Sequence, residues 1–278
     1  MATTLLAGCG SGGTDRADAI VAAFYPLAFA AEQVARPGTP VRNLTPAGAE
    51  PHDLELTPGD VRAVQDARLV LYLGNGFMPG LEKAVAGRSL ASVDLLAGQK
   101  LRAGRDERGR PVQDPHIWLD PVRYAAIVRA IGSAPADRAR AERLATRVEG
   151  LDREFRRGLA HCERREIVTS HAAFGYLAAR YGLEQVPLEG LSPEAEPSAR
   201  GIATLVDRVR ASGATTVFFE PLVSPKLAET VAREADVETA VLNPLEGLTE
   251  DEVAAGEDYF TVMRANLATL KQALGCRA

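Results

Sequence analysis

Residues 68–73, Arg68-Leu69-Val70-Leu71-Tyr72-Leu73, are a short apolar run that ends at Gly74-Asn75-Gly76. A run of this kind predicts a strand buried on both faces, as in a parallel sheet, followed by a tight turn. Residues 58–65 before it have a helical pattern, and residues 41–44 favour a strand. Strands that alternate with helices indicate parallel βαβ units.

The same alternation extends to both ends of the chain. On the N-terminal side, residues 19–24 predict a buried strand, and a helix opens at Pro26 and runs to Val34. On the C-terminal side the predicted strands are 166–170, 184–188, 215–219 and 239–242, with helices at 172–181, 199–211, 225–235 and 258–274. The pattern predicts an α/β protein with two lobes, each built on a parallel sheet.

One long helix is predicted between the two alternations. Apolar residues recur at Leu144, Val148, Leu151, Phe155 and Leu159, the rhythm of an amphipathic helix over residues 137–160. We expect this helix to join the lobes. The predicted division is therefore 1–17 as an N-terminal tether, 18–134 as the first lobe, 135–161 as the linking helix and 162–278 as the second lobe.

Composition excludes several classes of function. The chain has 278 residues, 46% hydrophobic and 25% charged, which is typical of a soluble globular protein. Its formal net charge is -5 and its acidic and basic residues are mixed, so nucleic-acid binding is disfavoured. The sequence contains no apolar run of about eighteen residues that would predict a membrane-spanning helix.

The N-terminal residues Leu6-Ala7-Gly8-Cys9 resemble a bacterial lipobox, and Ser11-Gly12-Gly13 resembles a flexible tether. In such a signal the cysteine thiol is lipidated. A complete signal has a basic start and an apolar stretch of about 7–15 residues, which the residues before Cys9 are too few to supply. We therefore expect a start codon assigned late or a trimmed chain, with membrane contact only through a lipid on Cys9. The alternative is an ordinary cysteine in a tail.

The other two cysteines, Cys162 and Cys276, are far apart in the sequence. In an exported chain, an even pair of this kind predicts a disulfide, which would tie the C-terminal helix to the second lobe. The alternative is two buried free thiols.

Three of the four histidines stand at a junction between elements. His52 lies in a loop before a helix, His116 lies between a loop and a helix, and His171 follows the apolar strand that ends at Ser170. Such junctions are where α/β sheets place their ligand sites. His161, at the end of the long helix, is not placed this way. The spacing is unlike that of a local metal motif, so the positions rather than the intervals suggest a metal site.

Four motifs, in this order along the chain, resemble the ZnuA-like family, the zinc- and manganese-binding subunits of ABC importers. They are Glu50-Pro51-His52-Asp53 with Pro58-Gly59-Asp60, Asp114-Pro115-His116-Ile117-Trp118-Leu119-Asp120-Pro121, Thr169-Ser170-His171-Ala172-Ala173-Phe174-Gly175-Tyr176-Leu177-Ala178, and Phe219-Glu220-Pro221-Leu222-Val223-Ser224-Pro225-Lys226. The resemblance covers nearly the whole chain. It implies two lobes joined by a rigid helix, with one metal ion held in the cleft between them.

The resemblance places the family's three histidine ligands at His52, His116 and His171, and none at His161. In manganese-type members the third position is often glutamate. Imidazole nitrogen suits zinc, whereas manganese favours carboxylate oxygen. We therefore expect Zn²⁺, in four-coordinate geometry, as the transported ligand. A manganese-binding member of the same family is the alternative.

The fourth ligand departs from the family pattern. Where relatives often have an aspartate, this chain has Asn243. The sequence favours Asn243 or a water molecule as the fourth ligand, with Glu220 and Glu246 as further candidates. The carboxylates of Asp53, Asp114 and Asp120 are candidates to orient the imidazoles or to cap helices.

Two other segments carry weaker predictions. Residues 98–114 are polar, basic and rich in glycine, which predicts an exposed loop. This loop has no histidine, although many zinc-type relatives have a histidine-rich segment here, so we expect no scavenging role for it. Trp118 is predicted to be a core residue rather than one that faces the ligand.

The predicted function is a monomeric binding protein, not an enzyme. It would lie outside the cytoplasm, anchored by lipid to the outer face of the cytoplasmic membrane, and would pass Zn²⁺ to an ABC importer permease. Because its ligands must be deprotonated, zinc uptake should weaken as pH falls towards about 6.5. Two alternatives remain: a zinc-dependent hydrolase that uses the same three histidines, and an adhesin in which the metal is incidental.

Overall fold

A computed structural model of the chain describes residues 18–106, 109–133, 137–193 and 198–277. Within these ranges the strands are β1 (Ile20–Ala22), β2 (Val41–Asn43), β3 (Leu69–Tyr72), β4 (Ala91–Asp94), β5 (Ala103–Arg105), β6 (Pro111–Gln113), β7 (Glu166–Thr169), β8 (Glu184–Pro187), β9 (Thr216–Phe219) and β10 (Glu238–Val241). The helices are α1 (Tyr25–Val34), α2 (Pro58–Asp66), α3 (Pro79–Ala86), α4 (Pro121–Ser133), α5 (Arg138–Gly158), α6 (Gly175–Tyr181), α7 (Ala199–Ser212), α8 (Lys226–Ala235), α9 (Glu250–Ala254) and α10 (Tyr259–Ala273).

Two four-stranded parallel sheets form the framework, as the alternating pattern predicts. The first has the order β2-β1-β3-β4, and the second has the order β10-β9-β7-β8. In the first sheet, β1 pairs with both β2 and β3, with Ile20 opposite Val41 and Leu69. Connections that leave a central strand in opposite directions open a crevice at the carboxyl ends of the strands. The fold therefore offers ligand sites at those ends.

Local sequence signals set the helix starts. Thr57 and Asp60 form a reciprocal capping box at the start of α2, with Pro58 at the first helical position. Asp258 caps α10 by accepting hydrogen bonds from the backbone of Phe260 and Thr261. These caps satisfy N–H groups that have no partner inside the helix.

Helix α5 is the predicted long helix. It begins after Asp137, whose side chain caps it, and buries Leu144, Val148, Leu151 and Phe155 on one face. Helix α5 packs on α4, on α1, which contacts β1 and β2 of the first sheet, and on α10, which contacts β10 of the second sheet. One helix therefore braces elements from both halves of the chain.

The larger apolar core is continuous between the two halves. Trp118 is fully buried, as predicted, and lies at the centre of this core. Its indole N–H donates to the carbonyl of Pro244 at 2.8 Å, and its own carbonyl accepts from the hydroxyl of Tyr259 at 2.7 Å. The segment that carries His116 is thereby hydrogen-bonded to the segment after β10.

The prediction of an exposed loop over residues 98–114 is wrong in part, because strands β5 and β6 form an antiparallel hairpin within it. The hairpin packs across the second half of the chain: the backbone N–H of Leu191 donates to the carbonyl of Arg105 at 3.1 Å, and the N–H of Arg102 donates to the hydroxyl of Tyr176 at 2.8 Å. Contacts between residues so distant in sequence are not visible in the local pattern.

The structure describes two of the three cysteines. Cys162 and Cys276 are paired as a disulfide in the structure. Cys9 and the predicted lipobox lie outside the described residues. In the part of the chain that the structure describes, no helix has the length and apolar character needed to cross a membrane.

Candidate metal centre

Four residues, His52, His116, His171 and Glu246, form a candidate metal centre. Three of them follow the carboxyl ends of parallel strands. His52 lies in a short 3-10 turn, Pro51–Asp53, in the connection after β2. His171 comes directly after β7 and precedes another such turn. Glu246 lies in the connection after β10. The two sheets thus bring these residues to one crevice.

His116 reaches the same crevice from the hairpin. It follows β6 and opens the 3-10 turn Ile117–Leu119, which leads into α4. Both His116 and the turn after it are buried. The packing of Trp118 therefore fixes the backbone on one side of the imidazole.

The structure brings His52, His116, His171 and Glu246 together, with one ligand atom of each within 4.8 Å of the others. The carboxylate Oε1 of Glu246 lies 3.3, 2.9 and 3.4 Å from the Nε2 atoms of His52, His116 and His171, respectively. The Nε2 atoms of His116 and His171 are 3.4 Å apart. In a tetrahedral zinc site with bonds of about 2.0–2.1 Å, neighbouring donor atoms are about 3.3 Å apart. The four spacings, 2.9–3.4 Å, are close to that value.

The centre is almost sealed from solvent. His116, His171 and Glu246 are fully buried, and the His52 side chain is 9% exposed. Oε2 of Glu246 is buried without a hydrogen-bond partner in the described part of the chain. A buried carboxylate with an unpartnered oxygen is costly unless a cation neutralises it. The donor set therefore fits a divalent cation.

Two further carboxylates orient the imidazoles. Nδ1 of His116 lies 2.8 Å from Oδ1 of Asp114, and Nδ1 of His171 lies 2.7 Å from Oε1 of Glu220. When each Nδ1–H donates to its carboxylate, the lone pair of Nε2 faces the centre. Asp114 and Glu220 thus present both rings for metal binding.

The environments of His52 and His116 differ. Burial lowers the pKa of His52, and the nearby charge of Glu246 does not offset it. Burial also acts against protonation of His116, but hydrogen bonds to Asp114 and Glu246 outweigh it and raise the pKa of that ring. His52, at the exposed edge, is therefore the ring most readily available as a neutral donor.

Charges surround the inner part of the centre. Burial opposes protonation of His171, but the charges of Glu220 and Glu246 outweigh it and raise its pKa well above the ordinary value. Burial opposes ionisation of Glu246, but the charges of His171 and His52 hold its pKa well below the ordinary value. Burial, with repulsion from Glu246, raises the pKa of Glu50 to about 9. The centre therefore holds the carboxylate anion of Glu246, which can bind a cation, and protonated groups from which the cation can displace a proton.

The structure sorts the other candidates from the sequence. Asn243 directs its side-chain oxygen to the N–H of Leu245 at 2.7 Å and its nitrogen to Glu252 at 2.9 Å. These bonds favour Glu246 over Asn243 as the fourth donor. Asp120, one of the three aspartates that are sequence candidates to orient an imidazole or cap a helix, caps α4 and pairs with Arg180.

Asp53 is a sequence candidate to orient an imidazole, whereas the sequence assigns His161 no ligand role. Asp53 is exposed, and none of the imidazoles in the described part of the chain has a hydrogen bond to its carboxylate. His161 is exposed at the end of α5, as the sequence indicates. The orienting role of Glu220 is not apparent from sequence, because its partner His171 is 49 residues away and meets it only through the pairing of β7 with β9.

Comparison with known proteins places the chain. The family described as "Zinc-uptake complex component A periplasmic" matches residues 20–273. "Zinc-binding protein AdcA" of Streptococcus pyogenes serotype M6 is 35% identical over 283 residues, with 91% of this chain and 55% of that protein covered. The chain thus spans about half the length of that relative. "High-affinity zinc uptake system protein ZnuA" of Bacillus subtilis is 34% identical, with 97% and 94% covered.

A solved structure supports the same placement. The Zn(II)-bound ZnuA-like domain of Streptococcus pneumoniae AdcA superposes with a TM-score of 0.77 at 36% identity, covering 92% of this chain and 98% of that one. On the extent of the family match and of these similarities, the chain belongs to the ZnuA family, that of the periplasmic component A of zinc-uptake complexes.

Proposed function

We propose that this protein captures Zn²⁺ outside the cytoplasm through His52, His116, His171 and Glu246, and delivers it to the permease of an ABC importer. The observation that carries the proposal is the convergence of four donor atoms within 4.8 Å of one another, with the distances from Oε1 of Glu246 to the three Nε2 atoms close to those of a tetrahedral zinc site. Zinc is the cargo, so the site must both bind and release it.

The donor set favours zinc over manganese. Three of the four donors are imidazole nitrogens, and they lie in a small sealed centre. Manganese prefers carboxylate, carbonyl and water oxygens in octahedral geometry. The names of the relatives from Streptococcus and Bacillus, which are called zinc-binding and zinc-uptake proteins, support the same choice.

A binding protein fits the centre better than a hydrolase does. A catalytic zinc site keeps an open position for the reacting water. In the proposed site Glu246 would take the fourth position, and Glu220, which a hydrolase could use as a base, is hydrogen-bonded to His171. We therefore propose that the protein is not an enzyme.

The proposed cellular setting follows from the family. We propose a monomer at the outer face of the cytoplasmic membrane, held by a lipid on Cys9. Its first lobe would be residues 18–134, its linking helix 135–161 and its second lobe 162–278, with zinc in the cleft between the lobes. The relative named a zinc-binding lipoprotein in Streptococcus pneumoniae supports the lipid anchor.

Metal analysis and competition titration test the proposal. The purified protein, stripped with a chelator and reloaded, should hold one zinc ion per chain and prefer zinc to manganese. His116→Ala and Glu246→Gln should each weaken zinc binding, whereas His161→Ala, an exposed histidine away from the centre, should not. Unchanged binding in His116→Ala would contradict the site.

Delivery is tested in cells. Deletion of the permease should abolish the zinc uptake that depends on this protein. Uptake that persists without the permease would instead favour an adhesin in which the metal is incidental.

A further inference from the structure

Asn243 is a buried amide, and each of its polar atoms has a partner. It is 4% exposed. Its Nδ2 donates to Oε1 of Glu252 at 2.9 Å, and its Oδ1 accepts from the N–H of Leu245 at 2.7 Å. Its backbone N–H donates to Oδ1 of Asn266 at 2.9 Å, and its carbonyl accepts from Nδ2 of Asn266 at 2.7 Å. A carboxylate on one side and an N–H on the other fix the orientation of the Asn243 amide.

These bonds hold a turn that the chain does not adopt readily. Leu245 has a φ of 57°, in the left-handed region that L-residues with large side chains seldom occupy. Such a conformation persists only where the surroundings determine it. The bond to Asn243 and the burial of the Leu245 side chain provide this, and Trp118 holds the carbonyl of Pro244 at 2.8 Å.

We infer that Asn243 is a positioning residue: together with Asn266 it sets the turn that points the carboxylate of Glu246 at the three imidazoles. The inference rests on the proposed function, in which Glu246 is the fourth zinc ligand. It also gives a reason for an amide rather than a carboxylate at this position. A carboxylate at this position would face the carboxylate of Glu252 at hydrogen-bond distance, and like charges so close repel.

A double-mutant cycle tests the inference. Asn243→Asp sets two carboxylates against each other, and Glu252→Gln leaves one N–H facing another. Each single variant should weaken zinc binding by about 10–100-fold, the usual effect of losing a residue that supports a ligand. The double variant exchanges donor and acceptor. The new amide can donate to the new carboxylate, while its oxygen still accepts from the N–H of Thr249, as Glu252 does at 2.8 Å. Affinity should return to within about threefold of wild type.

Three measurements are needed for each variant. Competition titration gives the zinc affinity. The visible absorption of the Co²⁺-loaded protein reports the coordination number, and should change in the single variants and recover in the double variant. The melting temperature of the metal-free protein separates a shifted ligand from a general loss of structure.

Several results would overturn the inference. If Asn243 were itself a ligand, Asn243→Asp would bind zinc as tightly as wild type or more tightly, and Glu252→Gln would have no effect. A double variant that melts like wild type but still binds weakly would exclude the exchanged hydrogen bond. If Asn243→Asp does not fold, Glu252→Ala decides, because it removes the acceptor of Nδ2 of Asn243, and unchanged affinity there would exclude the inference.

The proposed function fails in a different way. It fails if wild-type protein binds no zinc, or if Glu246→Gln binds zinc as tightly as wild type. If wild type binds and Glu246→Gln is weakened, but the cycle shows no coupling between residues 243 and 252, only the positioning role is wrong.

Discussion

Glu220 accepts two hydrogen bonds from His171, one from the ring and one from the backbone. Its Oε1 lies 2.7 Å from Nδ1 and 3.2 Å from the backbone nitrogen, and both residues are buried. One carboxylate oxygen therefore fixes both the main chain and the ring of His171. With Nδ1–H directed to Glu220, Nε2 has its lone pair free for zinc.

Glu220→Gln should therefore weaken zinc binding by about 10–100-fold. A glutamine oxygen can still accept the hydrogen bond, but it lacks the charge that makes the imidazole a better donor. Competition titration at fixed pH measures the change. Glu238→Gln, which removes an exposed carboxylate on β10, is the matched control and should bind as wild type does. Equal affinity in the two variants would show that Glu220 does not support the site.

The metal-free protein should lose stability as pH rises above neutral. Unfolded histidine titrates near 6.5 and unfolded glutamate near 4.3, both approximately. The pKa values of His116 and His171 are raised in the folded protein, so their contribution is full below about 6.5 and is lost as pH rises through the folded values. The pKa of Glu246 is lowered, so its contribution is present above about 4.3 and is lost only as pH falls through its folded value.

His52 acts in the opposite direction. Its pKa is lowered, so its contribution is present above about 6.5 and is lost as pH falls through the folded value. Since two rings are raised and one is lowered, urea unfolding in chelator should give a smaller free energy at about pH 9 than at about pH 6. The zinc-loaded protein should show the reverse trend, because protons compete with zinc. A metal-free protein that gains stability towards pH 9 would contradict the assignment.

The strands and helices that could be predicted from sequence are those with strong local patterns. The predicted strand at residues 68–73 is β3, and the predicted helix at residues 137–160 is α5, each shortened at its ends. The β5–β6 hairpin could not be predicted, because its sequence is polar and its support comes from Tyr176 and Leu191, far along the chain.

The three histidines could be predicted because each stands at a junction and within a recognisable motif. The fourth donor could not be chosen. Asn243 and Glu246 are three residues apart, and which of them faces the imidazoles depends on the turn at Leu245 with its positive φ. Local sequence does not predict that turn, since leucine disfavours it. Its cause is tertiary: the amide of Asn266 and the indole of Trp118 hold the backbone on either side.

The bond between Cys162 and Cys276 should stabilise the fold without affecting the metal. It closes a loop with a sequence separation of 114. Loss of a disulfide that closes a long loop typically costs about 2–4 kcal/mol. Cys162→Ser and Cys276→Ser should both lower the free energy of unfolding by that amount. Zinc affinity should stay unchanged, because Cys162 precedes β7 whereas His171 follows it at the other end.

Thiol counting provides the independent check. The chain has three cysteines, so the denatured, unreduced protein should show at most one free thiol, that of Cys9. Reductant should lower the stability of wild type but not of the two serine variants. Three free thiols, or equal stability with and without reductant, would support the alternative of two buried thiols.

Helices α4 and α5 approach so closely at Gly132 that a methyl group has no room. A Cβ atom there would overlap Cβ of Ala141. Gly132→Ala should therefore force the helices apart and lower the free energy of unfolding by about 1–3 kcal/mol. Urea unfolding of the metal-free protein measures this change.

Gly150→Ala provides the matched control on the same pair of helices. Gly150 lies inside α5, and the nearest atom to an added Cβ is the end of the Arg153 side chain at 3.7 Å. Here alanine meets no obstacle and restricts the unfolded chain, so it should raise the free energy of unfolding by about 0.5–1 kcal/mol. The same substitution should thus have opposite signs at the two positions. Stabilisation in both variants would mean that α4 and α5 leave room for a methyl group at Gly132, contrary to their close approach in the structure.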